Sequence, residues 1–460
     1  MDTQGKLSCS SSPPLALIVL ASFSSLVVAE NNRATQTQSG FDNEVSLEQR
    51  GDGNNATQEQ LLADHQSSTV IQTGNNNDAD VLQQASGHKM TLDQTGNDNN
   101  ATVHQATAGS GSDASILQVG DTNIVTVNQQ GGDSGYDATL YQEGNNNIHT
   151  IEQAGDGRAT LTANTLGNSN TINALQRTGV SASLTQLGEN NQITLEQSGY
   201  SNNREGDNAS VVQNGDANVL TLNQSGYNPG KTATLSQEGN NNVYTIDQID
   251  DGVTTLVANT LGNGNTITAL QEKGKSATLS QQGDNNQIAL AQRGGPMEAD
   301  VNVVQNGNEN SATVEQSTGS RYGAYSTRLA QEGDANTASL TQGGGLNVID
   351  IAQDGNGNEL TVDQDTIAGT LIGRSAGTRN QASISQETSI TTLYFTQEGD
   401  ANQLTVDQAG INSQARVDQF GTANEVFISQ RGPTELFTGP ANSATVMQSG
   451  AGNTATLYQQ

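Results

Sequence analysis

The sequence has no tryptophan, a single cysteine, six prolines and only 17 lysines and arginines among its 460 residues. Aromatic residues make up 3% and hydrophobic residues of all kinds 32%. That is too little for the cores of the two or three globular domains a chain of this length would ordinarily build. The lone cysteine, Cys9, excludes an internal disulfide and a thiolate metal site. Basic residues are outnumbered by 48 acidic ones, giving a formal net charge of -31 that disfavours nucleic acid and anionic membranes as partners and serves solubility. A charged fraction of 14% and so few prolines also argue against disorder, despite 51 glycines.

The first 29 residues differ from the rest. Lys6 precedes the apolar run Leu15 to Leu20, which continues through Phe23, Leu26 and Val28, and Val27 and Ala29 fit the positions before a cleavage point. Ser22, Ser24 and Ser25 interrupt a run already short for a bilayer. Residues 1–29 therefore read as a secretory signal peptide. The mature chain, 30–460, is expected to be exported, with no thiol and no membrane insertion.

From residue 30 onward a repeat takes over. A Gln is followed by Gly two residues later and Asn five later, and a second Gln closes the unit 11 residues after the first. Gln142, Gly144, Asn147 and Gln153 show the pattern. It recurs as Gln94, Gly96, Asn99, Gln105; as Gln186, Gly188, Asn191, Gln197; and as Gln213, Gly215, Asn218, Gln224. Further on it recurs as Gln237, Gly239, Asn242, Gln248; as Gln281, Gly283, Asn286, Gln292; and as Gln305, Gly307, Asn310, Gln316. Two half-repeats make a unit of about 22 residues, most regular at Gln331, Gln342, Gln353 and Gln364. Spacing stretches at Gln197 to Gln213, Gln316 to Gln331, Gln364 to Gln386 and Gln430 to Gln448, read as longer loops on one edge, the last with Pro433 and Pro440. Thr165 and Thr260 replace Gln in two units that match closely at an offset of 95 residues, so a block of rungs has been duplicated.

Around each Gln the residues alternate with period two: Ala138, Leu140 and Gln142 on one parity, Thr139 and Tyr141 on the other. Gly144-Asn145-Asn146 supplies residue types that tolerate positive φ. Each unit is thus expected to fold as strand, tight turn, strand. One such arc cannot bury its inward side chains alone, so the fold class is all-β, a β-solenoid of stacked rungs with amyloid-like cross-β geometry. Stacking would align the Gln and Asn residues above as side-chain amide ladders, and the glycines as turn residues, so that buried amides are satisfied.

The unit Ala138-Thr139-Leu140-Tyr141-Gln142-Glu143-Gly144-Asn145-Asn146-Asn147, closed by Gln153, resembles the curlin repeat. So do Gln305, Gly307, Asn310, Ala312, Gln316 and Gln331, Gly333, Asn336, Ala338, Gln342. The resemblance extends from about Gln38 to Gln459. It implies a bacterial fibre subunit, secreted to the cell surface, that polymerises with itself into curli-like amyloid supporting adhesion and biofilm matrix. A nucleator and an outer-membrane secretion apparatus are the partners it implies.

No constellation for catalysis stands out. His65, His88, His104 and His149 lack metal-ligand spacing and read as solvent-facing or rung-filling. No Gly-Lys-Ser/Thr follows the Gly-rich turns, and Asp250 and Asp251 read as solvated charges. The expectation is therefore a non-enzyme without cofactor or metal. The tyrosines read as surface or rung-end packing. Two alternatives remain open: a non-polymerising solenoid binding ice or carbohydrate through outward Thr139, Thr234 and Thr278, and a polysaccharide-processing β-helix enzyme, for which inserted loops carry no suitable cluster.

Overall fold

A computed structural model describes residues 31–460 apart from 62–63, 108, 110, 133–134, 200–205, 228–229, 250–251, 295–297, 319–323 and 433–441; it also describes 4–8 and 17–19. Most of the expected signal peptide, with its cleavage point, lies outside the described residues, as do Asp250, Asp251, Pro433 and Pro440.

Every regular element among the described residues is a β-strand. The chain divides into two compact units, Met1–Lys231 and Thr232–Gln460. Within each, successive strands alternate between two parallel sheets. In the first unit, Asp137–Glu143 pairs in parallel with Asp113–Val119 and Thr160–Leu166. The next strand, Ile148–Gly155, pairs with Ile124–Gly131 and Thr171–Arg177 in the other sheet. The second unit repeats the plan, with Thr255–Leu261 between Thr232–Glu238 and Lys275–Gln282, and Thr266–Glu272 between Val243–Ile249 and Gln287–Gly294. From Arg33 onward this is a β-solenoid, in which one rung is strand, turn, strand and each strand lies in register on a strand of the next rung; Gln4–Ser8 and Leu17–Val19 instead pair antiparallel with Glu44–Arg50 and Arg33–Gln38.

Alternation sets which side chains face inward. Along Asp137–Glu143 every second residue is buried, so Ala138, Leu140 and Gln142 face in while Thr139 and Glu143 are exposed. The facing strand contributes His149, Ile151 and Gln153 to the same interior. The core is a thin layer of Ala, Val, Leu and Ile between two sheets, which is why a 32% hydrophobic content suffices. Partners one rung apart are separated by 21 residues at Gln176 and Gln197 and by 29 at Gln419 and Gln448, bracketing the expected repeat.

One reading is corrected. Between Gln364 and Gln386 there is no longer loop: Thr370–Thr378 forms a full strand in which Ser375 stands between Gln353 and Gln397. A missing Gln mimicked an insertion, because the Gln spacing alone cannot distinguish a substituted rung from a stretched one.

Side-chain ladders as the candidate functional site

Two glutamine ladders run inside each unit, one per sheet. In the first sheet Gln49, Gln72, Gln94, Gln118 and Gln142 each pass an Nε2–H to the Oε1 of the next, with Gln94 to Gln118 at 2.9 Å and Gln118 to Gln142 at 3.0 Å. In the second sheet the chain of donors runs from Gln38 through Gln105, Gln129, Gln153, Gln176 and Gln197 to Gln224. In the second unit it runs from Gln248 through Gln292 and Gln316 to Gln459. Gln186 donates to Gln213, and Gln281 to Gln305 and Gln305 to Gln331. Gln237 is fully buried at the corresponding position.

The second amide hydrogen reaches across the core. Gln142 Nε2 donates to Ile124 O at 3.2 Å and Gln153 Nε2 to Asp137 O at 3.1 Å, each on the opposite sheet. Glutamine has the length for this bridge, so residues such as Gln94, Gln153 and Gln176 join the next glutamine of their sheet and the facing strand at once. With about 1 kcal/mol net per bond and a penalty of about 1 to 3 kcal/mol for a bond left unmade, the ladders tie the sheets together in a core poor in apolar surface.

The asparagine ladder lies along one edge and runs the other way. Asn99 donates its Nδ2–H back to Asn77 Oδ1 and forward to Gly120 O; Asn147 does the same to Asn123 Oδ1 and Gly167 O. The Oδ1 of each also accepts the backbone N–H of the next Asn, as Asn147 does from Asn170. Asn218 sits on Asn191, Asn265 on Asn242 and Asn310 on Asn286 in the same manner. All polar atoms of the side chain are used, which Asp, lacking the donors, could not reproduce.

The turns are held by glycine in the left-handed region. Gly144 has φ +115°, and a Cβ there would lie 2.0 Å from Gly167 O in the next rung. Gly96, Gly188, Gly215, Gly239, Gly283 and Gly307 share the positive φ. A second turn residue is also left-handed: Asn146, whose type tolerates it, and, against residue-type expectation, Ala217, Glu309 and Ala335 at the same place. The sequence did not reveal a third, exposed ladder at the residue after the glycine, where Asn97 N donates to Asp121 Oδ1 and Asp121 N to Asn145 Oδ1.

The first-sheet ladder is interrupted at Thr165, Thr260 and Ser375, and each interruption has a partner the sequence reading missed. His149 enters the core opposite Thr165, its Nε2 2.8 Å from Thr165 Oγ1. At the duplicated position Tyr244 meets Thr260 Oγ1 at 2.6 Å and donates to Ser236 O. Two residues before Ser375, Gly373 leaves room for the Phe395 ring, against which a Cβ would collide. A ring on one side is matched by a shortened side chain nearby. Of the tyrosines, Tyr244 is thus core rather than surface, and Tyr136 and Tyr325 are buried at the edge opposite the asparagines.

That opposite edge has no uniform ladder. Its buried column in the first unit reads Asn43, Gln66, His88, Ser112, Tyr136, Ala159, Val180, Asp207 and Lys231. Tyr136, Ala159 and Val180 form an apolar stack. Asp207 and Lys231, both fully buried, form an ion pair at 3.8 Å, and Asp207 Oδ1 also accepts the backbone N–H of Gly230 and Lys231. His88 accepts Ser112 N–H at Nδ1 and meets Gln84 O through Nε2; burial lowers its pKa, against the pull of Asp113. His65 is exposed.

On the outer faces hydroxyl side chains align in rows such as Thr91, Ser115, Thr139 and Thr162. A depression of about 450 Å³ is lined by Lys89, Thr91, Asp113, Asp137 and Arg158, and its guanidinium is taken up by Asp137, with Nε 3.1 Å from Oδ2. Among the described residues no three His, Cys, Asp or Glu side chains are placed to hold a metal ion.

No curated protein matches the chain. The family model described as the curlin associated repeat matches it at residues 40–84, 74–106 and 333–365, in both units. The chain thus carries curlin-type repeats at three places, and the rungs there show the Gln, Gly and Asn of that repeat in a solenoid.

Proposed function

We propose that this chain is the structural subunit of an extracellular, curli-like amyloid fibre that grows by adding copies of itself end to end. The observation that carries this reading is the opposed polarity of the ladders. Glutamines donate toward higher residue numbers, as Gln94 does to Gln118, and asparagines toward lower ones, as Asn99 does to Asn77. A rung ending the stack on one side therefore offers Gln donors and Asn acceptors, and one ending it on the other side offers Gln acceptors and Asn donors. Two copies match head to tail, while head to head they would set donor against donor. The proposal extends to secretion across both membranes, a nucleator, and a role in adhesion and biofilm matrix, and its support is the likeness of these rungs to the curlin associated repeat.

The test is to release residues 30–460 from denaturant and follow amyloid-dye fluorescence, with fibre diffraction of the product. A lag, then growth, with reflections at about 4.7 and 10 Å, is the expected result. A stable, dye-silent β-rich monomer would overturn it and turn attention to the hydroxyl rows around Thr139 as an ice- or carbohydrate-binding face.

A further inference from the structure

His149 occupies an inward position that its sheet neighbours fill with Val125 and Ile172. The ring is fully buried, and its Nδ1 has no hydrogen-bond partner. Its one polar contact, Thr165, stands where the ladder of the facing sheet has lost its glutamine. No charged group faces the ring. The ionisable side chains on the strands packed around it are Asp137, Tyr141, Glu143, Arg177 and, on its own strand, Glu152, and alternation turns all five to the outer faces. The strands Ile124–Gly131, Thr160–Leu166 and Ser181–Leu187 carry none. An imidazolium formed here would be a buried cation without a counter-charge. In the duplicated block of the second unit the same position holds Tyr244, bonded to Thr260 and uncharged across the acidic and neutral range.

We propose that the contact between His149 and Thr165 is an acid-sensitive joint: proton uptake by His149 opens the rungs built from residues 137–166, while the joint of Tyr244 and Thr260 stays closed. Burial holds the folded imidazole down to about 3, against an ordinary value of 6.5. The group's folded pKa is depressed, so its contribution to closure is complete above about pH 6.5 and is lost as pH falls from there toward 3. One proton makes the opening equilibrium rise about tenfold per pH unit within that window, on the order of a hundredfold between pH 6.5 and 4.5.

Amide hydrogen exchange of the full soluble chain at about pH 7 and about pH 4.5, corrected for the intrinsic pH dependence of exchange, reads this directly. Peptides within 137–166 should lose protection by about a hundredfold more than peptides within 232–261. His149→Tyr, which installs the residue of the duplicate, should remove the difference, and Tyr244→His should create it in the second unit. Equal acid response of the two regions in the parent chain overturns the proposal, as does acid response that survives His149→Tyr and thereby belongs to His88. Should His149→Tyr fail to fold, the comparison within the parent and the Tyr244→His variant still decide.

Discussion

The two edges of the solenoid solve the same problem in different ways. At one edge every rung turns through Gly-x-x-Asn, and the asparagines bond one another in an unbroken column from Asn54 to Asn218 in the first unit and from Asn242 to Asn453 in the second. At the other edge the buried column changes chemistry from rung to rung: an imidazole, a tyrosine, an aliphatic stack, an ion pair. The uniform edge demands that every member be identical, since each Asn is completed by the Asn before it, the Asn after it and the glycine carbonyl of the next rung. The variable edge needs only local matching between two or three neighbours, which lets loop length and composition drift.

Substitutions at matched places separate the two regimes. The largest effect is expected for Asn147→Asp, which buries a carboxylate and removes the donors to Asn123 Oδ1 and Gly167 O. A loss of about 3 to 5 kcal/mol, read by denaturant unfolding or by exchange of the flanking rungs, follows from leaving a buried charge uncompensated. A loss below about 1 kcal/mol would show that the column tolerates foreign members and would erase the distinction. At the variable edge Asp207→Asn should also cost about 3 kcal/mol, because the buried Lys231 loses the Asp207 charge beside it. Replacing both, Asp207→Asn with Lys231→Met, should recover most of that loss, since it removes the buried cation while the Asn Oδ1 can still accept from the Gly230 and Lys231 N–H groups. No such double replacement should rescue Asn147. The smallest effect sharpens the account of the uniform edge. Ala335 is left-handed at φ +56°, so Ala335→Gly should raise stability by about 0.5 to 1 kcal/mol, seen as a higher unfolding midpoint, whereas Gly144→Ala should lower it.

The same contrast explains what could be read from the sequence. Strand alternation, the Gly-x-x-Asn turn and the solenoid were legible because Ala138, Leu140, Gln142 and Gly144 obey a local period that recurs in every copy. The variable edge was not, because Tyr136, Val180 and Lys231 share no residue type, and only stacking shows that they are neighbours. The pairing of His149 and Tyr244 with their threonines escaped notice for a related reason. Each is explained by a threonine 16 residues further on, a pairing visible only once the two sheets face each other. The substitution at Thr165 and its copy at Thr260 was the one signal present, and it named the shortened side chain without the ring that occupies its space.

The pairing of ring and threonine also limits how such a molecule can be lengthened by recombination. A crossover within the Gly-x-x-Asn turns joins two rungs that are interchangeable there, so whole rungs can be gained or lost without penalty at the seam. A crossover between residues 149 and 165 would separate a ring from its matching gap, delivering a His or Tyr opposite a full-length Gln. The block that recurs 95 residues later kept both members together, so the heritable unit is in places longer than the structural repeat.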